Sequence, residues 1–166
     1  ARRDELVVKQ FQQADSRELV VLLDLFPGSN FDQHNRATHQ KHEELAIEFV
    51  ATLASHIASS NFGVITVAIA DSEPMIASRI QSRSQNSGLL DRLAMAHGGE
   101  EDKIDVAISL LEREFRRVEN LMVVSTRPRI AFQSQGSEYS AIVLWRAMTW
   151  LDVGAGDLTK YFAPAA

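Results

Sequence analysis

The chain reads as a Rossmann-like three-layer α/β/α fold, a mostly parallel sheet with helices on both faces. Three observations predict it. Leu19–Leu25, Gly63–Ala70 and Leu121–Ser125 are apolar on both faces, as strands covered on both sides must be. Thr38–Ser60 and Lys103–Arg117 carry apolar residues at helical spacing between those runs. Turn-forming and charged residues separate the segments, so strands and helices alternate, which is the pattern of a parallel sheet.

Each element has its own reason. The N-terminal Leu6–Phe11, LVVKQF, is an edge strand or a packing arm. Leu19–Leu25 is the first buried strand, and the Pro27-Gly28 pair ends it in a turn. In Thr38–Ser60 the stripe is Leu45, Phe49, Val50, Leu53 and Ile57. Gly63–Ala70, GVITVAIA, is rich in β-branched residues and is the second strand. Met75–Arg79 is a short edge strand, and Leu89–Ala96 a short helix. Lys103–Arg117 sets Ile104, Ile108, Leu111 and Phe115 on one side. Leu121–Ser125 is the third buried strand. Ser137–Arg146 fits helix or strand, Thr149–Val153 is a fourth strand, and Gly156–Phe162 a last helical turn.

Composition narrows the function classes. With 166 residues the chain can bury one real core, and a formal charge of −5 argues against nucleic acid or anionic lipid as main partner. The absence of cysteine removes disulfides, thiolate metal sites and cysteine nucleophiles, and fits a reducing compartment. No apolar run approaches the ~20 residues of a membrane span. There is no G-x-S-x-G nucleophile elbow and no Walker lysine motif. The chain begins at Ala1 without Met and is read as part of a longer one.

In open α/β sheets, sites gather beyond the carboxyl ends of the strands. The first strand ends in Asp24, the second in Asp71-Ser72-Glu73, the third in Ser125-Thr126-Arg127 and the fourth at Asp152. An aspartate there either ligates Mg²⁺ with hydroxyls and water, or caps a turn or pairs with a cation. A phosphotransferase of the haloacid dehalogenase type needs a second aspartate two residues after the first, and position 26 is Phe. His34, His39 and His42-Glu43 cluster around the first helix, and the preferred reading is a solvated first turn rather than zinc. In Ala96–Lys103, AHGGEEDK, the acids suit a helix N-terminus and would repel phosphate.

LVVKQFQQADSRELVVLLDL resembles the bacterial domain-of-unknown-function family fifty-eight, a von Willebrand factor A-like branch. GVITVAIADSE, SGLLDRLAMAH, DKIDVAISLLEREFRRVENLMVVSTR and TWLDVGAGDLTKYF follow in the family's order. The resemblance covers nearly the whole chain and implies a single von Willebrand factor A-like domain over residues 1–166. It also implies a metal-ion-dependent adhesion site built on D-x-S-x-S, a later Thr and an Asp after another strand. Only Asp24 matches that pattern. Phe26 and Gly28 stand at the serine positions, Ser29 is one residue late, no Thr lies in Glu100–Lys103, and Ser125-Thr126-Arg127 takes the Asp position. The expectation is a degenerate site with no cofactor, Mg²⁺ being the lesser alternative. Asp24 then pairs with Arg127 or caps the Pro27-Gly28 turn. Phe26 is either a binding anchor or a plug over the former metal pocket.

The resemblance implies a non-catalytic interaction module whose protein partner is a MoxR-type AAA+ ATPase or its client. This segment contacts neither nucleic acid nor membrane. It is cytoplasmic, with a membrane anchor in the full-length protein as the conditional case. The expected surface holds Asp24, Phe26, Ser29, Asp71, Ser72, Ser125, Thr126 and Arg127. The rival reading is a Mg²⁺-dependent phosphohydrolase using Asp24 and Asp71.

Overall fold

The computed structural model describes residues 18–28, 32–60, 63–115, 118, 120–129 and 148–161. The expected N-terminal strand or arm at 6–11, Ser29, and the ambiguous 137–146 segment lie outside them. In chain order the elements are β1 (Glu18–Asp24), α1 (Arg36–Ser60), β2 (Val64–Ala70), β3 (Met75–Ile80), α2 (Arg83–Met95), α3 (Ile104–Glu114), β4 (Leu121–Ser125) and β5 (Met148–Asp152). Short 3₁₀ turns precede α1 at Gln33–Asn35 and follow β5 at Asp157–Lys160. That last turn stands where a final helical turn is expected.

The five strands lie in the order β3-β2-β1-β4-β5. Among the described residues β1 runs parallel to β2 and β4, β4 is parallel to β5, and β3 is antiparallel to β2. The alternation within β1 builds three layers. Leu19, Val21 and Leu23 face α1 and α2 with Phe49, Val50, Leu53, Leu89 and Leu93. Val20 and Leu22 face α3 with Ile104, Ile108 and Leu111. Both sides of β1 are thus apolar because both are covered.

Among the described residues no helix is long and apolar enough to cross a membrane.

α2 begins six residues before the Leu89 start that periodicity predicts. Ser82 caps it by accepting from the Gln85 N–H at 3.4 Å, while the Gln85 side chain accepts from the Gln81 N–H at 2.9 Å. This is close to the reciprocal capping box. Its first two turns carry little apolar surface, so periodicity alone misses them.

The edge strand β3 carries a register shift opposite Ile65/Val67, and Arg79 there has φ of +54°. The buried Thr66 holds the irregularity: its Oγ1 accepts from the Arg79 N–H at 2.9 Å and donates to Glu18 Oε1 at 3.1 Å. Arg79 Nη1 reaches the other Glu18 oxygen at 3.2 Å. Bulges of this kind bend an edge and discourage pairing with another chain. Thr66→Val would leave the Arg79 N–H unpaired in left-handed backbone. The expected loss is about 1–2 kcal/mol, read from the urea midpoint.

Candidate functional site

Strand order fixes where a site can lie. The chain leaves β1 toward β2 through α1, then returns to the other side of β1 through α3 and β4. The switch point is therefore the β1/β4 boundary. Asp24 and Ser125 are register partners across it, at the carboxyl ends of the two strands.

These residues are joined by direct bonds. Ser125 Oγ donates to Asp24 Oδ2 at 2.7 Å, and Arg127 Nε donates to the same oxygen at 2.8 Å. Asp24 Oδ1 accepts the Phe26 N–H at 3.3 Å and Arg127 Nη2 at 3.5 Å. Asp24 thus does both things expected of it, pairing with Arg127 and capping the start of the Phe26-Pro27-Gly28 turn. Arg127 continues to a second carboxylate: Nη1 and Nη2 bind Asp102 at 2.5 and 2.9 Å. Asp102 also accepts the Ile104 N–H at 3.1 Å and so caps α3. One guanidinium therefore ties β1 and β4 to the start of α3. It also sits over the Phe26 ring, 5.0 Å from its centroid, within cation–π range.

The cluster is dry. Asp24 is 0% exposed and Arg127 3%. Burial pushes the Asp24 carboxyl above the ordinary carboxylate range, against the opposing pull of Arg127 and Ser125. Burial works against the Arg127 charge, but Asp102 and Asp24 together outweigh it and hold the guanidinium above its usual value.

The second strand end is built the same way. Asp71 accepts Arg92 Nη2 at 2.7 Å on both oxygens and the Glu73 N–H at 3.0 Å, while Arg92 also donates to the Glu73 carbonyl at 2.8 Å. α2 is thereby fastened to the turn after β2.

Of the eight residues expected to form a surface, Asp24, Asp71, Ser125, Thr126 and Arg127 are buried. Phe26 is half-buried and Ser72 exposed. Ser29 lies outside the described residues. The strand-end aspartates, Ser125 and Arg127 hold the edge together from beneath, and the exposed rim above them is Ser72, Glu73, Glu100 and Glu101.

The donor set does not fit Mg²⁺. The ion needs a near-octahedral oxygen shell. Both Asp24 oxygens are taken by protein donors, Phe26 and Gly28 bring no side-chain oxygen, and a guanidinium already stands between Asp24 and Asp102. A second cation would meet direct repulsion there. The histidines do not converge either. His34 pairs with Asp32, His39 with Glu43, and His42 lies beside Gly154. Among the described residues no three His, Asp or Glu side chains gather to hold a metal.

One contact was not legible in the sequence. Glu43 Oε1 accepts the Gly98 N–H at 2.7 Å and binds His39 Nε2 at 3.2 Å. A Cβ on Gly98 would lie 2.3 Å from both that carboxylate and the Leu25 carbonyl oxygen. The first glycine of the Gly98-Gly99 pair therefore serves close approach of the loop to β1 and α1. Because the Leu25 carbonyl is backbone, Gly98→Ala should force the loop outward. About 1–2 kcal/mol of stability should be lost by overpacking, measured by thermal or urea unfolding.

A family model described as "Protein of unknown function DUF58" matches residues 1–130. The chain belongs to this family. The match contains β1 to β4 and every residue of the Asp24–Arg127–Asp102 cluster in this DUF58 chain. No curated protein matches the sequence.

Proposed function

We propose that this DUF58 chain is a von Willebrand factor A-like module that binds a protein partner without catalysis and without a bridging metal. The observation that carries the reading is the saturation of the strand-end aspartates. Asp24 and Asp71, the two carboxylates an enzyme of this architecture would use, are each bonded to an arginine. A carboxylate so held is a poor nucleophile or base, and nothing favours the phosphohydrolase alternative.

The contact surface is the carboxyl edge above the buried cluster. Phe26 supplies a partly exposed aromatic, and Ser72, Glu73, Glu100 and Glu101 supply an acidic rim. A complementary partner presents a basic face with a pocket for the ring. By resemblance that partner is a MoxR-type AAA+ ATPase or its client, and the module works in cytoplasm.

The test is binding of the purified ATPase by biolayer interferometry. Phe26→Ser is expected to weaken binding tenfold or more, as loss of an anchor of about 1.4 kcal/mol or above would. Glu100→Lys with Glu101→Lys should slow association and flatten its salt dependence. EDTA should change nothing, and Mg²⁺ titration of the free chain should give no binding heat. Binding untouched by both sets of substitutions would sink this surface, and binding abolished by EDTA would sink the metal-free reading.

A further inference from the structure

We propose that Glu43 of α1 is a positioning residue for the contact edge: it holds the loop between α2 and α3 so that Glu100 and Glu101 meet a partner from one fixed place. The inference rests on the reading of that edge as the contact surface, and it gives a role in binding to a residue outside it. The loop runs His97-Gly98-Gly99-Glu100-Glu101-Asp102-Lys103. It has no apolar side chain with which to pack itself down. Two glycines in a row lose the most chain entropy on ordering, and segments with few buried apolar contacts are the least stable part of a fold. Polar bonds must therefore fix where this loop lies.

Among the described residues the loop is tied to the turn after β2, to the end of β4 and to α1. His97 Nε2 meets Ser72 Oγ at 3.4 Å, a long contact between two exposed side chains. Asp102 binds the Arg127 guanidinium. The Gly98 N–H donates to Glu43 Oε1 at 2.7 Å, and the Glu43 side chain is only 16% exposed. A short bond to a charged acceptor, largely out of water, is the stronger kind. The strong ties are thus those at Gly98 and Asp102. Only Gly99, Glu100 and Glu101 lie between them, so moving either tie moves the acidic rim.

Glu43 is itself aimed. His39, one turn earlier on α1, binds the same Oε1 through Nε2 at 3.2 Å. The missing side chain at Gly98 lets the loop sit against this carboxylate and the Leu25 carbonyl at once. Gly99 follows close beside the Ser72 backbone, where a Cβ would lie 3.3 Å from Ser72 Cα. The rim is therefore preorganised from beneath rather than by the rim residues themselves. Electrostatic complementarity depends on where charges stand, so Glu43 tunes the affinity of a basic partner without touching it.

Amide hydrogen exchange of the free ¹⁵N-labelled chain and binding of the purified ATPase test this together. In Glu43→Ala the Gly98 amide should exchange about tenfold faster or more, while the Ile104 amide, held by Asp102, should be unchanged. Glu43→Gln keeps a neutral acceptor and should fall between. Glu43→Ala should weaken ATPase binding about two- to fivefold. In a chain already carrying Glu100→Gln and Glu101→Gln it should cost nothing further, because the charges it positions are gone. A role in stability alone would weaken binding equally in both backgrounds. That result, unchanged exchange at Gly98, or equal acceleration at Gly98 and throughout β1 would overturn the proposal. Failure of the contact surface reads differently. No ATPase binding, or binding indifferent to Glu100→Gln and Glu101→Gln, would overturn the surface and with it the binding role of Glu43, while faster Gly98 exchange in Glu43→Ala would still uphold its hold on the loop.

Discussion

Arg127→Met is expected to lower the stability of the chain by about 3–5 kcal/mol, the range for breaking a buried pair by removing one partner. The reason is what remains. Asp24 stays fully buried with only Ser125 and the Phe26 N–H as donors. Asp102 loses the guanidinium that ties the start of α3 to the sheet. The pH dependence has a definite sign. Asp24 already has a raised pKa in the folded chain, and Arg127 is one of the influences lowering it. Without Arg127 it must rise further. A carboxyl with a folded pKa above its unfolded value stabilises fully below the unfolded pKa and loses that contribution as pH rises through the folded one. The variant's deficit should therefore be largest near neutral pH and shrink on acidification. Adding Asp24→Asn to Arg127→Met removes the stranded charge and should recover part of the loss. If the second substitution only adds its own cost, Arg127 acts by packing and the charge argument fails. Urea unfolding of the three proteins across pH decides it.

The same cluster shows how far residues alone can be read. Asp24 and Arg127 are 103 positions apart, and their pairing was expected because each ends a buried strand and the family resemblance sets Ser125-Thr126-Arg127 at a ligand position of the same site as Asp24. Asp102 as second partner did not follow. It depends on how the loop before α3 folds back, and AHGGEEDK gives only a helix start. The three-layer fold was legible because β1, β2 and β4 are apolar on both faces. The first half of α2 was not, because Arg83, Ser84, Gln85 and Ser87 are exposed and the buried residue among them, Asn86, is polar. Its signal was the Ser82-x-x-Gln85 cap. The expected surface names residues at this edge without their depth; here arginines from α2 and the end of β4 close over the carboxylates, and five of the eight are buried.

The Asp71–Arg92 pair tests whether that closure is a general device of this edge. Arg92→Met should cost about 2–4 kcal/mol, somewhat below the loss at Arg127. Asp71 is almost as buried as Asp24, at 2% exposure, but the Arg92 side chain is 18% exposed, so water can enter and partly solvate the abandoned carboxylate. The loss has a local part as well. Arg92 holds Asp71 and the Glu73 carbonyl together, and Asp71 holds the Glu73 N–H. Without it the 71–73 turn loses its tie to α2. Amide hydrogen exchange at Glu73 should accelerate in Arg92→Met more than exchange in β1. In Arg127→Met the expected pattern is reversed, with the fastest gain at the start of α3. Equal acceleration everywhere in both variants would mean that each pair supports only global stability. Separate, local acceleration would mean that two independent arginine clamps hold the two halves of the edge, so a partner docking above Phe26 and one docking above Ser72 would stabilise different turns.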